Sequence, residues 1–191
     1  MNPTGILFWS GGKDAYLALK QIRNQYSTLY LLVTYDEQSD TVPFQQIPVS
    51  HLRRQAGHLH LPLIEVPLPP QCPNDQYVEA IIRALRDVTP EQTDLIFGDL
   101  HIEDIKSWRE SVFQPLGFTC RFPVWRVPYE SLFNQLFEDN IVITITSVDK
   151  ACQSRIEPGA RFDRDFISQL PADIDAMGEH GEFHTRLDFN T

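Results

Sequence analysis

Five consecutive residues, Ser10-Gly11-Gly12-Lys13-Asp14, combine the groups that a phosphate cradle needs. Two adjacent glycines let the backbone turn tightly and aim its N–H groups inward. Lys13 brings a point positive charge, and Ser10 brings a hydroxyl donor. The apolar run Gly5 to Trp9 precedes them, and Ala15, Ala18, Leu19 and Ile22 follow at helical spacing. A strand therefore enters the loop and a helix leaves it. The start of a helix carries partial positive charge, which favours an anion. Two well-known phosphate loops are excluded. The pattern G-x-x-x-x-G-K-[ST] needs Gly where Leu7 stands and Ser or Thr where Asp14 stands. The dinucleotide pattern GxGxxG is absent.

Further chemistry-bearing residues cluster at two places. Phe97-Gly98-Asp99 closes an apolar run in mid-chain, and Gly178-Glu179-His180-Gly181-Glu182-Phe183-His184-Thr185 lies near the C-terminus. His180, Glu182 and His184 alternate, so an extended segment would put all three on one face, at a spacing that can ligate zinc. Gly181, between them, favours instead a loop that lines a ligand site. Asp99 also suits a cap for the segment after it. Glu103 and Asp104 read as acidic residues at a helix start, favoured by the dipole. Trp108 and Trp125 read as core or pocket-wall aromatics. His51, His58, Arg53 and Arg54 read as solvated helix residues. Cys72, Cys120 and Cys152 form no CxxC pair, which argues against a disulfide framework or a thiolate zinc site.

The elements that must position these groups alternate. Strands are expected at Gly5 to Trp9, Leu29 to Thr34, Leu63 to Val66, Leu95 to Phe97, Thr119 to Phe122 and Ile141 to Val148. Helices are marked by Leu52, Ala56 and Leu59 after Ser50, by Tyr77 to Leu85 with Asn74 as the cap, by Ile105, Trp108 and Val112, by Leu132 to Phe137, and by Asp163 to Leu170. Asp36 to Pro48 and Pro67 to Asn74 read as connectors. The alternation predicts an α/β fold, a mainly parallel sheet with helices on both faces and a small C-terminal part. Such sheets place ligands beyond the C-terminal ends of their strands. A composition shift near Pro115 to Pro128 divides a core at 1–120 from a smaller region at 121–191, unless the two form one domain.

Composition bounds the function. The 191 residues are 42% hydrophobic and 22% charged, an ordinary globular balance. Sixteen basic against 26 acidic residues leave a formal charge of −10. That disfavours a nucleic-acid partner, because such binding rests on phosphate neutralisation by Lys and Arg. No apolar run approaches the roughly 20 residues that span a bilayer. The opening Met1-Asn2-Pro3-Thr4 lacks the basic and apolar regions of a signal peptide. A cytoplasmic location is therefore expected.

Ser10 to Asp14 resembles the pyrophosphate loop of the PP-loop ATP pyrophosphatases, Ser-Gly-Gly-x-Asp followed by Ser or Thr. Ala15 departs from the last position and removes one hydroxyl from the cradle. Gly98-Asp99 at a strand end, Trp108-Arg109-Glu110, Pro123-Val124-Trp125 and Gly178 to Thr185 stand in the order found in the PP-loop family that includes diphthine–ammonia ligase. Gln55-Ala56 and Leu61-Pro62-Leu63 match it as well. Phe44-Gln45 stands where many relatives have Met-His, and Val124 replaces the usual Leu. The resemblance runs from about Ile6 to Thr185.

It implies a Rossmann-like fold of the adenine nucleotide alpha hydrolase type. It implies an ATP-dependent ligase that adenylates an acceptor carboxylate, releases pyrophosphate and AMP, and forms an amide with ammonia. The implied cofactors are ATP and Mg²⁺. Ser10, Gly11, Gly12, Lys13, Asp14, Thr34 and Gly98 would bind the nucleotide, with Asp14 and Asp99 on the metal. Lys13, Asp99 and Glu182 would act in catalysis, and Glu179, His184, Thr185 and Trp125 would face the acceptor. The acceptor would be a small-molecule or protein-bound carboxylate. Free ammonia or a partner subunit would supply the nitrogen, and a homodimer is compatible. Two alternatives remain open at this point. Ala15 and Gln45 suit a non-catalytic adenine-nucleotide binder or sensor, and RNA thiolation is performed by other PP-loop enzymes.

Overall fold

The computed structural model describes residues 4–86, 88 and 93–190. Met1 to Pro3 and Thr191 lie outside them. The first half runs β1 (Thr4–Phe8), α1 (Lys13–Ile22), β2 (Thr28–Asp36), β3 (Thr41–Val42), β4 (Ile47–Pro48), α2 (Val49–Leu59), β5 (Leu63–Leu68) and α3 (Asn74–Leu85). The second half runs β6 (Thr93–Ile96), α4 (Glu103–Phe113), one 3₁₀ turn, β7 (Thr119–Arg121), α5 (Tyr129–Phe137), β8 (Ile141–Val148), α6 (Arg164–Gln169) and β9 (Phe183–Phe189).

β5, β2, β1, β6 and β7 lie side by side, all parallel. The β3–β4 hairpin extends the tip of β2 through a single antiparallel pair, Asp36 with Thr41. Strand alternation sorts the apolar residues onto two faces. Leu7, Leu31, Val33 and Ile96 join a cluster with Ala18 of α1, Leu52 of α2 and Leu132 of α5. Ile6, Leu32, Leu95 and Phe97 join another with Ile81 and Leu85 of α3 and Phe113 of α4. Burial on both faces explains the near-continuous apolar runs of these strands. The expected α/β architecture, with helices on both faces, is present.

From β1 the chain builds outward through β2 to β5, then crosses back to add β6 and β7 on the other side. The strand order therefore reverses between β1 and β6. A crevice opens at such a switch point, outside the carboxyl ends of the strands. β8 and β9 form a separate antiparallel pair, and its Ile143, Ile145 and Leu187 share the cluster of α1 and α5.

Several boundaries differ from expectation. α2 starts at Val49 and α3 at Asn74, each preceded by a proline rather than capped by Ser50 or Asn74. Proline's fixed φ suits entry to a helix without a side-chain cap. The connector Asp36 to Pro48 contains the β3–β4 hairpin, too short to show periodicity. The Gly178–Thr185 element does not stay a loop throughout: from Phe183 onward it is strand β9, paired with β8. His51 is 8% exposed rather than solvated, its Nε2 within 3.0 Å of the Leu187 carbonyl oxygen. His58 stacks on Phe189 with ring centroids 4.1 Å apart. Among the described residues, no helix is long and apolar enough to cross a membrane.

Candidate active site

The loop Ser10 to Asp14 leaves β1 at its carboxyl end and runs into α1. Its turn depends on Gly11, whose φ of +80° is a region that L side chains rarely adopt. Gln55 of α2, 2% exposed, fastens that turn. Its Nε2 donates to the Gly11 carbonyl at 3.0 Å and to the Leu187 carbonyl at 2.6 Å, while its Oε1 accepts from Trp9 Nε1 at 2.8 Å. β9 holds the other side. Leu187 N donates to the Gly11 carbonyl, and Lys13 N donates to Thr185 Oγ1 at 3.2 Å. Gly12, at the N-cap of α1, has no side chain to close the helix start, so beyond the Thr185 contact that end is open to solvent or to an anion.

Lys13 is 2% exposed, and its ammonium lies 2.9 Å from both carboxylate oxygens of Asp14. It also lies 5.7 Å from the Phe162 ring centre and 5.8 Å from that of Phe183. Gly98, after β6, crosses the start of the same helix. A Cβ there would meet the Asp14 carbonyl oxygen at 2.8 Å, so only glycine permits the approach.

These segments wall one cleft of about 790 Å³. Ser10, Gly12, Lys13, Asp14, Thr34, Gly98, Asp99, Glu179, His184 and Thr185 all line it. Ten of the sequence-predicted site residues, from four separated stretches of chain, thus come together. Three do not. Gly11 turns away and serves the contacts with Gln55 and Leu187. Glu182 turns its carboxylate onto the backbone N–H groups of Asp175 and His180, at 3.1 and 3.0 Å, and so closes a loop. Trp125 lines a different hollow with Lys106 and Phe122, where the ammonium of Lys106 lies over both rings.

Asp99 is gripped by Arg109 of α4 through two hydrogen bonds of 2.6 and 3.1 Å, so it does not cap the segment after it. The Arg109 guanidinium lies over the Phe97 ring, 4.3 Å from its centre. Sequence reading singled out Trp108-Arg109-Glu110 but gave Arg109 no role. Asp36, Phe44, Gln45, Tyr77 and Arg109 also line the cleft. The one available signal was the Asp99–Arg109 spacing, which becomes a contact only once α4 is placed.

Burial raises the Glu179 carboxyl above the usual carboxylate range, and the Asp14 charge adds to this; the Leu100 N–H, donating at 3.0 Å, works against it. Burial lowers the His184 imidazole below its ordinary value, helped by the charge of Lys13, so the ring is neutral at pH 7. Asp14, Asp36, Asp99 and Glu179 face two cations, Lys13 and Arg109. This surplus of carboxylates beside a cradle for anions suits a hard dication, which takes one or two carboxylates and completes its shell with phosphate oxygens and water.

Residues 4–120 match the diphthamide synthase N-terminal domain. The chain belongs to that family. The family is of the PP-loop ATP pyrophosphatase type, which uses ATP. The matched stretch carries Ser10 to Asp14, Thr34, Gly98 and Asp99, and it ends within β7, before β8 and β9. The diphthamide-synthase-like part thus supplies most of the cleft wall, including the switch point. The segment Gly178 to Thr185, which runs into β9, supplies the rest, with Glu179, His184 and Thr185. No curated protein matches the chain significantly.

Proposed function

We propose that the cleft binds ATP and activates an acceptor carboxylate as its adenylate, which ammonia converts to an amide. One observation carries this reading: the Ser10–Asp14 loop, Thr34, Asp99 and Glu179 line a single cleft at the strand-order switch of a PP-loop fold. The α1 end and the Lys13 ammonium would take the pyrophosphate, whose charge rises as its bond to the α-phosphorus breaks. Lys13 would then exchange its contact with Asp14 for one with phosphate. Asp14 would hold Mg²⁺, and Asp99 could join it from its place beside Arg109. The metal would supply charge neutralisation on the phosphates. Thr34, at the end of β2, would meet adenine or ribose.

In the reaction an acceptor carboxylate oxygen attacks the α-phosphorus and pyrophosphate leaves. Ammonia then attacks the activated carbonyl, AMP departs, and one proton of the incoming nitrogen is lost. His184, neutral and beside the loop, is the candidate to take that proton. Glu179, Thr185 and Tyr77 would position the acceptor. Incubation with MgATP, ammonium and a panel of carboxylates, followed by phosphorus NMR, should give AMP and pyrophosphate in equal amounts. ADP and phosphate would contradict the reading.

A non-catalytic nucleotide binder is the second reading. It is favoured by Ala15, which is buried and brings no hydroxyl, and by the closed Lys13–Asp14 pair. ATP binding in calorimetry with no turnover across the panel would select it.

A further inference from the structure

Outside the cleft, three metal-ligating side chains meet. His101 follows β6, whereas Asp175 and His180 flank the turn that carries Glu179. One ligand atom from each lies within 4.8 Å of the other two, and among the described residues no other such group of His, Cys, Asp or Glu forms. His101 Nε2 is 3.9 Å from Asp175 Oδ2, and the two imidazole rings are 5.6 Å apart. The alternative set of His180, Glu182 and His184 does not form. Glu182 is spent on backbone N–H groups, and His184 faces the cleft.

We infer that His101, Asp175 and His180 bind a divalent transition-metal ion of the zinc type, outside the nucleotide cleft. Two imidazoles and a carboxylate suit a borderline-soft dication and disfavour Mg²⁺, which prefers oxygen ligands and near-octahedral geometry. The carboxylate is already oriented for this. Asp175 Oδ1 accepts from Met177 N at 2.8 Å and from Glu179 N at 3.2 Å, which leaves Oδ2 turned toward His101. Tyr129 supports the carboxylate, donating to Asp175 Oδ2 at 2.8 Å, and lies 2.7 Å from His101 Nε2, the nitrogen that ligation would take. Such partners orient metal ligands, and their loss typically costs roughly 10- to 100-fold in affinity. Ligation takes the Nε2 lone pair of His101, leaves the ring proton on Nδ1 and turns Tyr129 to Asp175 alone. His180 is exposed, so the ion has an entry path and a coordination position for water. A bound ion would fasten the loop after β6 to the turn bearing Glu179, which already meet through Leu100 N.

This inference does not rest on the ligase reading, and its test contains no ATP. The full chain, freed of metal by chelation, is titrated with zinc chloride in a calorimeter, with magnesium chloride as the counter-probe. Cobalt(II) replaces zinc for visible spectroscopy. The expected result is one zinc per chain, cobalt bands of a low-coordinate site, and zinc binding that excess magnesium does not displace. His180→Ala and His101→Ala should each weaken zinc binding by roughly tenfold or more, while His58→Ala, remote from the cluster, should not. At one zinc concentration the rise in melting temperature should be larger for the wild type than for His180→Ala. His180 is exposed, so its replacement leaves the core intact and decides the matter even if His101→Ala fails to fold. Absence of zinc binding, or binding undiminished in His180→Ala, overturns the inference. The second outcome would point to the free thiols or to surface histidines instead.

Discussion

At the scale of single residues, the cleft pairs Lys13 with Asp14 and Arg109 with Asp99 and leaves Asp36 and Glu179 to backbone N–H groups. Lys13 is the pivot, because it is buried and carries the positive charge nearest the helix end. Lys13→Met keeps much of the volume and removes the charge. Losing one preorganised donor to a developing anion typically costs on the order of 10²–10³ in kcat, and that loss in AMP formation is expected here with the fold retained by circular dichroism. Asp99→Asn should also act on stability. Both side chains of the Asp99–Arg109 pair are largely buried, and a hydrogen bond to a charged group is worth roughly 1.5–3 kcal/mol. Urea unfolding should show a loss of that order, and an unchanged midpoint would refute the structural part of Asp99.

Glu179 gives a pH signature. Its folded carboxyl keeps its proton to higher pH than the usual value of 4.5, chiefly because it is buried. Its contribution to stability is therefore full below that value and is lost as pH rises through the folded pKa. Glu179→Gln removes the loss and still offers an oxygen to Leu100 N. Its melting temperature relative to wild type should be near parity at about pH 4 and should rise by about pH 7. An equal difference at both pH values would contradict the burial argument.

At the scale of elements, the phosphate loop is legible because its types and its flanks agree. Two glycines, a lysine, an apolar run before and a helical period after all point one way. β9 was not legible. Phe183, Thr185 and Leu187 do alternate with His184 and Arg186, yet the glycines at 178 and 181 break the stretch just before it, and its partner β8 lies more than thirty residues upstream. Trp125 shows the reverse error. A Pro-x-Trp element resembling a family motif was expected at the acceptor side, but Trp125 packs with Phe122 beneath Lys106. A motif gives adjacency in sequence, and only packing decides which side of the sheet it reaches. β9 is also what holds the loop, through Thr185 and Leu187. Phe183, 1% exposed, packs between Phe162 and Phe166. Phe183→Ala should cost about 3–5 kcal/mol and weaken nucleotide binding with it, read by denaturation and calorimetry on the same variant. Weakened stability with unchanged binding would separate β9 from the cradle.

At the scale of the whole molecule, the two-faced sheet follows from sequence and the cleft follows from its topology. Apolar runs separated by helical periods were enough to expect a parallel sheet. The switch between β1 and β6 then fixes where ligands gather. Global charge was a weaker guide. The formal −10 disfavours nucleic acid, but what matters in the cleft is local: four carboxylates facing Lys13 and Arg109. An anionic nucleotide in that setting calls for a dication, so chelation by EDTA should abolish AMP formation and excess MgCl₂ should restore it.

The central claim is transfer of the adenylyl group to a carboxylate in this cleft. The most direct measurement uses acceptor carboxylates labelled with ¹⁸O, including diphthine on its protein carrier, together with MgATP and ammonium. Mass spectrometry of the released AMP then reads where the label goes. Attack by the carboxylate on the α-phosphorus places one ¹⁸O in AMP, and Lys13→Met should suppress that labelled product. AMP without label would mean attack by water, and ADP as the product would mean cleavage at the γ-phosphorus; either result contradicts the account.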